Sequence, residues 1–139
     1  MPAWILVCDD EAHIRHIIAH KLRAAGYGVV EARNGQEALT LLDARRAASE
    51  PAPRLVISDF QMPVLNGVDL CKALKARPDA AGTPVLMLTA RGHVITDEDM
   101  ARTNIREIIG KPFGVRQLLE RVAGMLGEPG AHGSDSVAA

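Results

Sequence analysis

Aromatic side chains are scarce: one Trp, one Tyr and two Phe among 139 residues, although 47% of the chain is apolar. A chain of that length can bury one ordinary core, and here the core has to be built from aliphatic side chains. Cysteine is almost as scarce. Cys8 and Cys71 stand far apart, with no CxxC pair and no nearby histidine at zinc spacing, so neither a disulfide framework nor a structural zinc site is supported and both read as small buried hydrophobes. Neither sign of charge is in excess. Sixteen basic against seventeen acidic residues give a formal charge of -1 and a pI near 6.5, which offers no electrostatic footprint for nucleic acid or anionic lipid. Long apolar runs are missing as well. Trp4 to Cys8 falls far short of the roughly 18 residues of a membrane span, and no basic leader or small-residue cleavage site accompanies it. Together these absences predict one cytoplasmic domain that contacts neither nucleic acid nor membrane.

What is present is a rhythm. Five short runs rich in Val, Ile and Leu recur: "WILVC" at 4–8, "GVVEA" at 28–32, "LVIS" at 55–58, "VLML" at 85–88 and "EIIG" at 107–110. They are apolar almost throughout rather than alternating, which is what strands covered on both faces require. Between them lie residues at helical spacing, such as Ile14, Ile17, Ile18 and Leu22, then Ala38, Leu41 and Leu42, and finally Val115, Leu118, Leu119, Val122 and Leu126. The punctuation agrees: Gly26 ends the first helix, Asn34-Gly35 and Asn66-Gly67 open the second and third, and Thr96 with Asp99 resembles a capping box opening the fourth. Alternating strands and helices with short connections predict a parallel α/β sheet, wound by right-handed crossovers with helices on both faces. The domain spans 1–126. Residues 127–139, "GEPGAHGSDSVAA", carry too little apolar surface to order themselves and read as a flexible tail or a linker.

In such sheets the chemistry collects beyond the carboxyl ends of the strands. There the chain places Asp9 and Asp10 after the first run, Asp59 after the third, Thr89 after the fourth and Lys111 after the fifth. Three carboxylates on one edge repel one another unless a cation sits among them. With no His or Cys in the group, the oxygen donors favour Mg²⁺ or a similar hard ion over zinc. A metal held by carboxylates, with a lysine and a hydroxyl beside it, can bind phosphoryl oxygens while one carboxylate attacks phosphorus. Asp59 is the candidate nucleophile.

"CDDE" at 8–11, "SDFQMP" at 58–63, "LTA" at 88–90 and "GKPF" at 110–113, in that order and each at its own strand end, resemble the receiver domain of bacterial two-component response regulators, of the chemotaxis-regulator type, over residues 4–126. The resemblance implies a doubly wound, flavodoxin-like five-stranded sheet of order 2-1-3-4-5. It implies that Asp59 accepts a phosphoryl group from the phosphohistidine of a sensor histidine kinase or a phosphotransfer protein. Asp10, Asp59 and the backbone carbonyl of Gln61 then bind Mg²⁺ directly, with Asp9 acting mainly through a metal-bound water. Lys111 pairs with the phosphoryl oxygens, and Thr89 hydrogen-bonds one of them after transfer and draws its loop inward, which switches a surface that a downstream effector protein reads. By the same resemblance Gln61 and Arg91 flank the path of hydrolytic water, Pro63 and Gly67 belong to an MPxxxG turn, and the Lys111-Pro112 bond is usually cis. The chain is then a regulatory domain rather than an enzyme, a monomer or a weak homodimer.

One position departs from the family pattern. Ile108 stands three residues before Lys111, where an aromatic is usual, so it is expected either to pack in its strand or to mark an altered output surface. A phosphorylation-independent adaptor is the alternative this encourages. A Mg²⁺-dependent phosphohydrolase fits less well, because "DFQ" lacks a second aspartate two residues after Asp59 and no cap domain is visible. His13, His16 and His20 share one face of the first helix; a solvated face or a kinase contact is expected before a metal site. "GYG" at 26–28 follows a helix, and Glu31 stands where a dinucleotide loop needs glycine. "TDED" at 96–99 is a helix start favoured by exposed amides and the helix dipole.

Overall fold

The computed structural model describes residues 4–90 and 94–126. Its elements alternate in the order β1 (Trp4–Cys8), α1 (Ala12–Ala24), β2 (Gly28–Ala32), α2 (Gly35–Ala47), β3 (Leu55–Asp59), α3 (Gly67–Lys75), β4 (Val85–Thr89), α4 (Asp97–Ala101), β5 (Ile105–Gly110) and α5 (Val115–Leu126). All strands are parallel, as the alternation of strands and helices predicts, and their order β2-β1-β3-β4-β5 is the doubly wound one that the family resemblance implies.

Strand side chains alternate between faces, and the core divides accordingly. Leu6, Cys8, Val56 and Met87 point to the layer containing Ala38 and Leu42 of α2 and Leu70 and Leu74 of α3. Ile5, Val7, Ile57 and Leu88 point to the layer of Ile18 and Leu22 from α1 with Leu118 and Val122 from α5. Each fully buried aliphatic side chain contributes about 1.5–3 kcal/mol relative to exposure. The three central strands, β1, β3 and β4, are buried at every residue. The expectation of five strands covered on both faces fails at the edges: in β2 only Ala32 is buried, and in β5 only Ile105 and Ile109. An edge strand has a neighbour on one side only, so part of its surface stays wet.

Local signals account for the element ends. Asn34, Asn66 and Thr96 each accept a hydrogen bond from the backbone N–H three residues on, at 2.8, 2.8 and 3.0 Å, satisfying amides that the helix leaves unpaired. The run at 96–99 therefore opens α4 as expected, with Thr96 as its cap and Asp97, Glu98 and Asp99 in its first turn. Gly26 has φ 103°, and its N–H and that of Tyr27 return to the carbonyls of Arg23 and Leu22, both at 3.0 Å, a Schellman closure of α1. At Gly67 a side chain would collide with the carbonyl oxygen of Asp59, so α3 can start directly behind the strand that ends on that aspartate.

Ile108 differs from the simpler expectation. It lies on β5 but is 38% exposed and belongs to neither core layer. Residues 127–139 and Arg91 lie outside the described residues.

Candidate functional site

Strand register gathers the predicted residues. Cys8 is level with Ala32 on one side and Ser58 on the other, Asp59 with Leu88, and Thr89 with Gly110, so the residues just past these positions share one edge. Asp9 is completely buried and Asp59 nearly so, whereas Asp10 is exposed. One oxygen from each of the three carboxylates lies within 4.8 Å of the others. Lys111 reaches across from β5. Its Nζ stands 3.0 Å from Asp9 Oδ2, 3.3 Å from Asp59 Oδ1 and 3.5 Å from Glu11 Oε1. The Lys111 backbone N–H donates to the Thr89 carbonyl at 2.6 Å, and the Lys111-Pro112 bond is cis.

Above this group opens a cleft of about 550 Å³ whose walls include Asp10, Glu11, Asp59, Gln61, Pro63 and Lys111. Thr89 is buried at the end of β4 and is not part of the cleft wall; Ala90 is. Asp9 lies beneath the cleft, its other oxygen accepting the Glu11 N–H at 2.9 Å.

The electrostatics follow from four carboxylates around one ammonium. Burial pushes the Asp59 carboxyl up, Asp9 adds repulsion, and Lys111 pulls back without winning, which leaves it at about 6. For Lys111, burial acts to lower the pKa, but the hydrogen bond and charge of Asp9, with the charge of Asp59, hold it above the ordinary lysine value. A cluster of oxygen donors with unbalanced negative charge and no nitrogen or sulfur donor suits a hard divalent cation.

Three features were not visible as site features beforehand. Glu11, quoted within "CDDE", is a third partner of Lys111. Arg15 is buried, and its Nη1 donates to the Asp9 carbonyl at 2.9 Å. Glu31 joins Arg15, Arg23 and, at 3.5 Å, His16. The signal for Arg15 was its spacing: it shares the inward face of α1 with Ile18, Ala19 and Leu22. The histidines at 13, 16 and 20 are all exposed, and among the described residues the group that could hold a metal is the aspartate trio. Cys8 and Cys71 are free and buried. Burial, with Asp9 nearby, drives the Cys8 thiol far up, and burial puts that of Cys71 at about 12. Among the described residues no helix is long and apolar enough to cross a membrane.

The family model described as the response regulator receiver domain matches residues 5–123. The phosphate regulon transcriptional regulatory protein PhoB of Pseudomonas aeruginosa is 33% identical over 132 residues, covering 95% of this chain and 55% of that protein. The response regulator MprA of Mycolicibacterium vanbaalenii is 34% identical over 126 residues, covering 91% and 51%. The chain thus spans about half the length of the curated relatives it matches. Among solved structures, the Vibrio cholerae chemotaxis protein CheY4 superposes with a TM-score of 0.79 at 31% identity, over 91% of this chain and 100% of that one.

Proposed function

The chain belongs to the response regulator receiver family, and on that premise we propose that Asp59 accepts a phosphoryl group in a Mg²⁺-dependent reaction and that the acceptance switches a protein-binding surface. One observation carries the reading: a buried carboxylate at the end of β3 opens on a cleft, with Lys111 at 3.3 Å and two further aspartates within 4.8 Å.

The donor in this reading is the phosphohistidine of a cytoplasmic sensor kinase or phosphotransfer protein. One Asp59 oxygen forms the bond to phosphorus as the bond to the donor nitrogen breaks and the imidazole leaves. Asp10, Asp59 and the Gln61 carbonyl would hold Mg²⁺ directly, with Asp9 acting mainly through water; the ion would supply charge neutralisation and a seat for phosphoryl oxygens when bound. Lys111 is already held in the site by Asp9 and Glu11, so it can take up a phosphoryl oxygen with little reorganisation. Thr89, on the same sheet edge, supplies the hydroxyl that engages the phosphoryl group once it has arrived, and the change passes to an effector protein. Any hydrolysis of the acyl phosphate is the domain's only turnover.

Intact mass after incubation with Mg²⁺ and acetyl phosphate tests this. Wild type should gain one phosphoryl increment, and neither Asp59→Asn nor wild type in EDTA should gain any. Undiminished uptake by Asp59→Asn would remove Asp59 from the role. No uptake by correctly folded wild type would favour a binding-only adaptor, for which the exposed Ile108 on β5 is the observation in favour.

A further inference from the structure

We propose that Arg15 is a positioning residue for the acidic pocket: through the Asp9 carbonyl and Glu31 it clamps the β1–α1 connection so that Asp9 and Asp10 are presented in ion-binding register. The inference rests on the reading of that pocket given above.

Arg15 lies on α1 with only 7% of its surface exposed. A buried guanidinium is costly unless its donors are used and its charge is paired. Here both conditions are met by groups of functional position. Nη1 donates to the Asp9 carbonyl at 2.9 Å, and Nε lies 3.3 Å from Glu31 Oε1 in β2. Glu31 is itself held from the other side by Arg23, at 3.2 Å from Oε2. Asp9 is then fixed at four points: its N–H donates to the Ala32 carbonyl at 3.1 Å, its carbonyl accepts from Arg15, and its two carboxylate oxygens accept from Glu11 N–H and Lys111 Nζ. Of these contacts, Arg15 is the one that locks the peptide joining Asp9 to Asp10. With that peptide free to rotate, the exposed Asp10 carboxylate would sample positions away from Asp59, and the pocket would lose preorganisation rather than charge. Lysine cannot replace arginine here, because a single ammonium lacks the planar fork that serves a carbonyl and a carboxylate together.

Arg15→Lys preserves the net charge and is the informative substitution. Calorimetric Mg²⁺ titration should show the dissociation constant raised about tenfold over wild type, the low end of the effect of partners that orient metal ligands. Acetyl phosphate uptake at saturating Mg²⁺ should return to within about twofold of wild type, because the clamp acts on presentation of the ligands rather than on transfer. A merely structural arginine would lower the melting temperature and leave the Mg²⁺ dissociation constant of the folded protein unchanged; that result overturns the proposal. Arg33→Lys, which alters the exposed pair with Glu37, is the control and should leave Mg²⁺ binding as it was. If Arg15→Lys does not fold, Glu31→Gln decides: a smaller rise in the same direction supports the clamp and an unchanged constant overturns it. A wild type that binds Mg²⁺ but takes up no phosphoryl group would sink the proposed function while the binding comparison still judged Arg15. A wild type that binds no Mg²⁺ overturns the inference.

Discussion

At Asp59, burial and the charge of Asp9 work against ionisation while Lys111 works for it, and the carboxyl ends near pH 6 against an ordinary value of 3.8. A carboxylate whose folded pKa is raised binds its proton more tightly in the folded chain. Its ionised form is therefore a burden on the fold, fully felt above pH 6 and fading as pH falls toward the unfolded value. Asp59→Asn removes the charge while keeping shape and hydrogen-bonding atoms. In Mg²⁺-free buffer it should be more stable than wild type by about 1–2 kcal/mol at pH 7.5, since each pKa unit is worth about 1.4 kcal/mol and the site is partly solvated. The gain should shrink as the pH is lowered from 6 toward 4. Urea unfolding at several pH values checks it; a variant less stable than wild type at pH 7.5 would mean that Lys111 outweighs the repulsion. In the proposed reaction the same burial would serve the chemistry, by leaving the carboxylate poorly solvated beside the Lys111 ammonium.

Among the elements, the connection from β3 to α3 carries stored strain. Val64 has φ 72° and is 80% exposed, and the Leu65 N–H returns to the Pro63 carbonyl at 2.8 Å. This is a γ-turn centred on a β-branched residue in the left-handed region, a conformation that costs about 1–3 kcal/mol. The turn is enforced from both sides: Leu65 packs so closely on Gly35 that a side chain there would strike it, and Gly67 abuts the Asp59 carbonyl. Val64→Gly should raise stability by about 0.5–1 kcal/mol, the relieved strain less the glycine entropy cost. Val64→Ala, which keeps a Cβ at the same φ, should gain little; equal gains from both would show that the exposed valine side chain, not the backbone, is at fault. Nothing in "MPVLNG" announced this, because strain is imposed by neighbours distant in sequence. The strands were legible where both faces are covered, in β1, β3 and β4, and overstated at β2 and β5, whose outer surfaces escape the helices. The convergence of Asp9, Asp10, Asp59 and Lys111 was legible because each stands at or just past a strand end, so topology brings them to one edge, whereas Gln61 entered only through the family resemblance. Glu11 and Arg15 were not, since their partners are set by the position of Lys111 and by the pairing of β1 with β2.

For the molecule as a whole, the site is where the fold is closed electrostatically. Lys111 and Asp9 are 102 positions apart in the chain and 3.0 Å apart in space, and the aspartates of β1 and β3 converge although the formal charge of the whole chain is only -1. Four carboxylates facing one ammonium leave a local excess of negative charge that the native fold must hold together and the unfolded chain can disperse. A divalent cation that binds only the assembled pocket therefore stabilises the whole domain by mass action, about 2.7 kcal/mol at a hundredfold excess over its dissociation constant. Thermal unfolding should shift upward with Mg²⁺ and return to its starting point when EDTA is added. Asp10→Asn should lose most of that shift, because it removes the exposed carboxylate of the proposed ligand set while leaving the buried Asp9–Lys111 pair intact. The sign matters more than the size: without Mg²⁺ the same substitution relieves repulsion and should leave the domain as stable as wild type or slightly more so. A domain whose unfolding ignored Mg²⁺ in wild type and Asp10→Asn alike would show that the cluster is held by Lys111 alone, and Mg²⁺ binding would have to be removed from the proposed reaction.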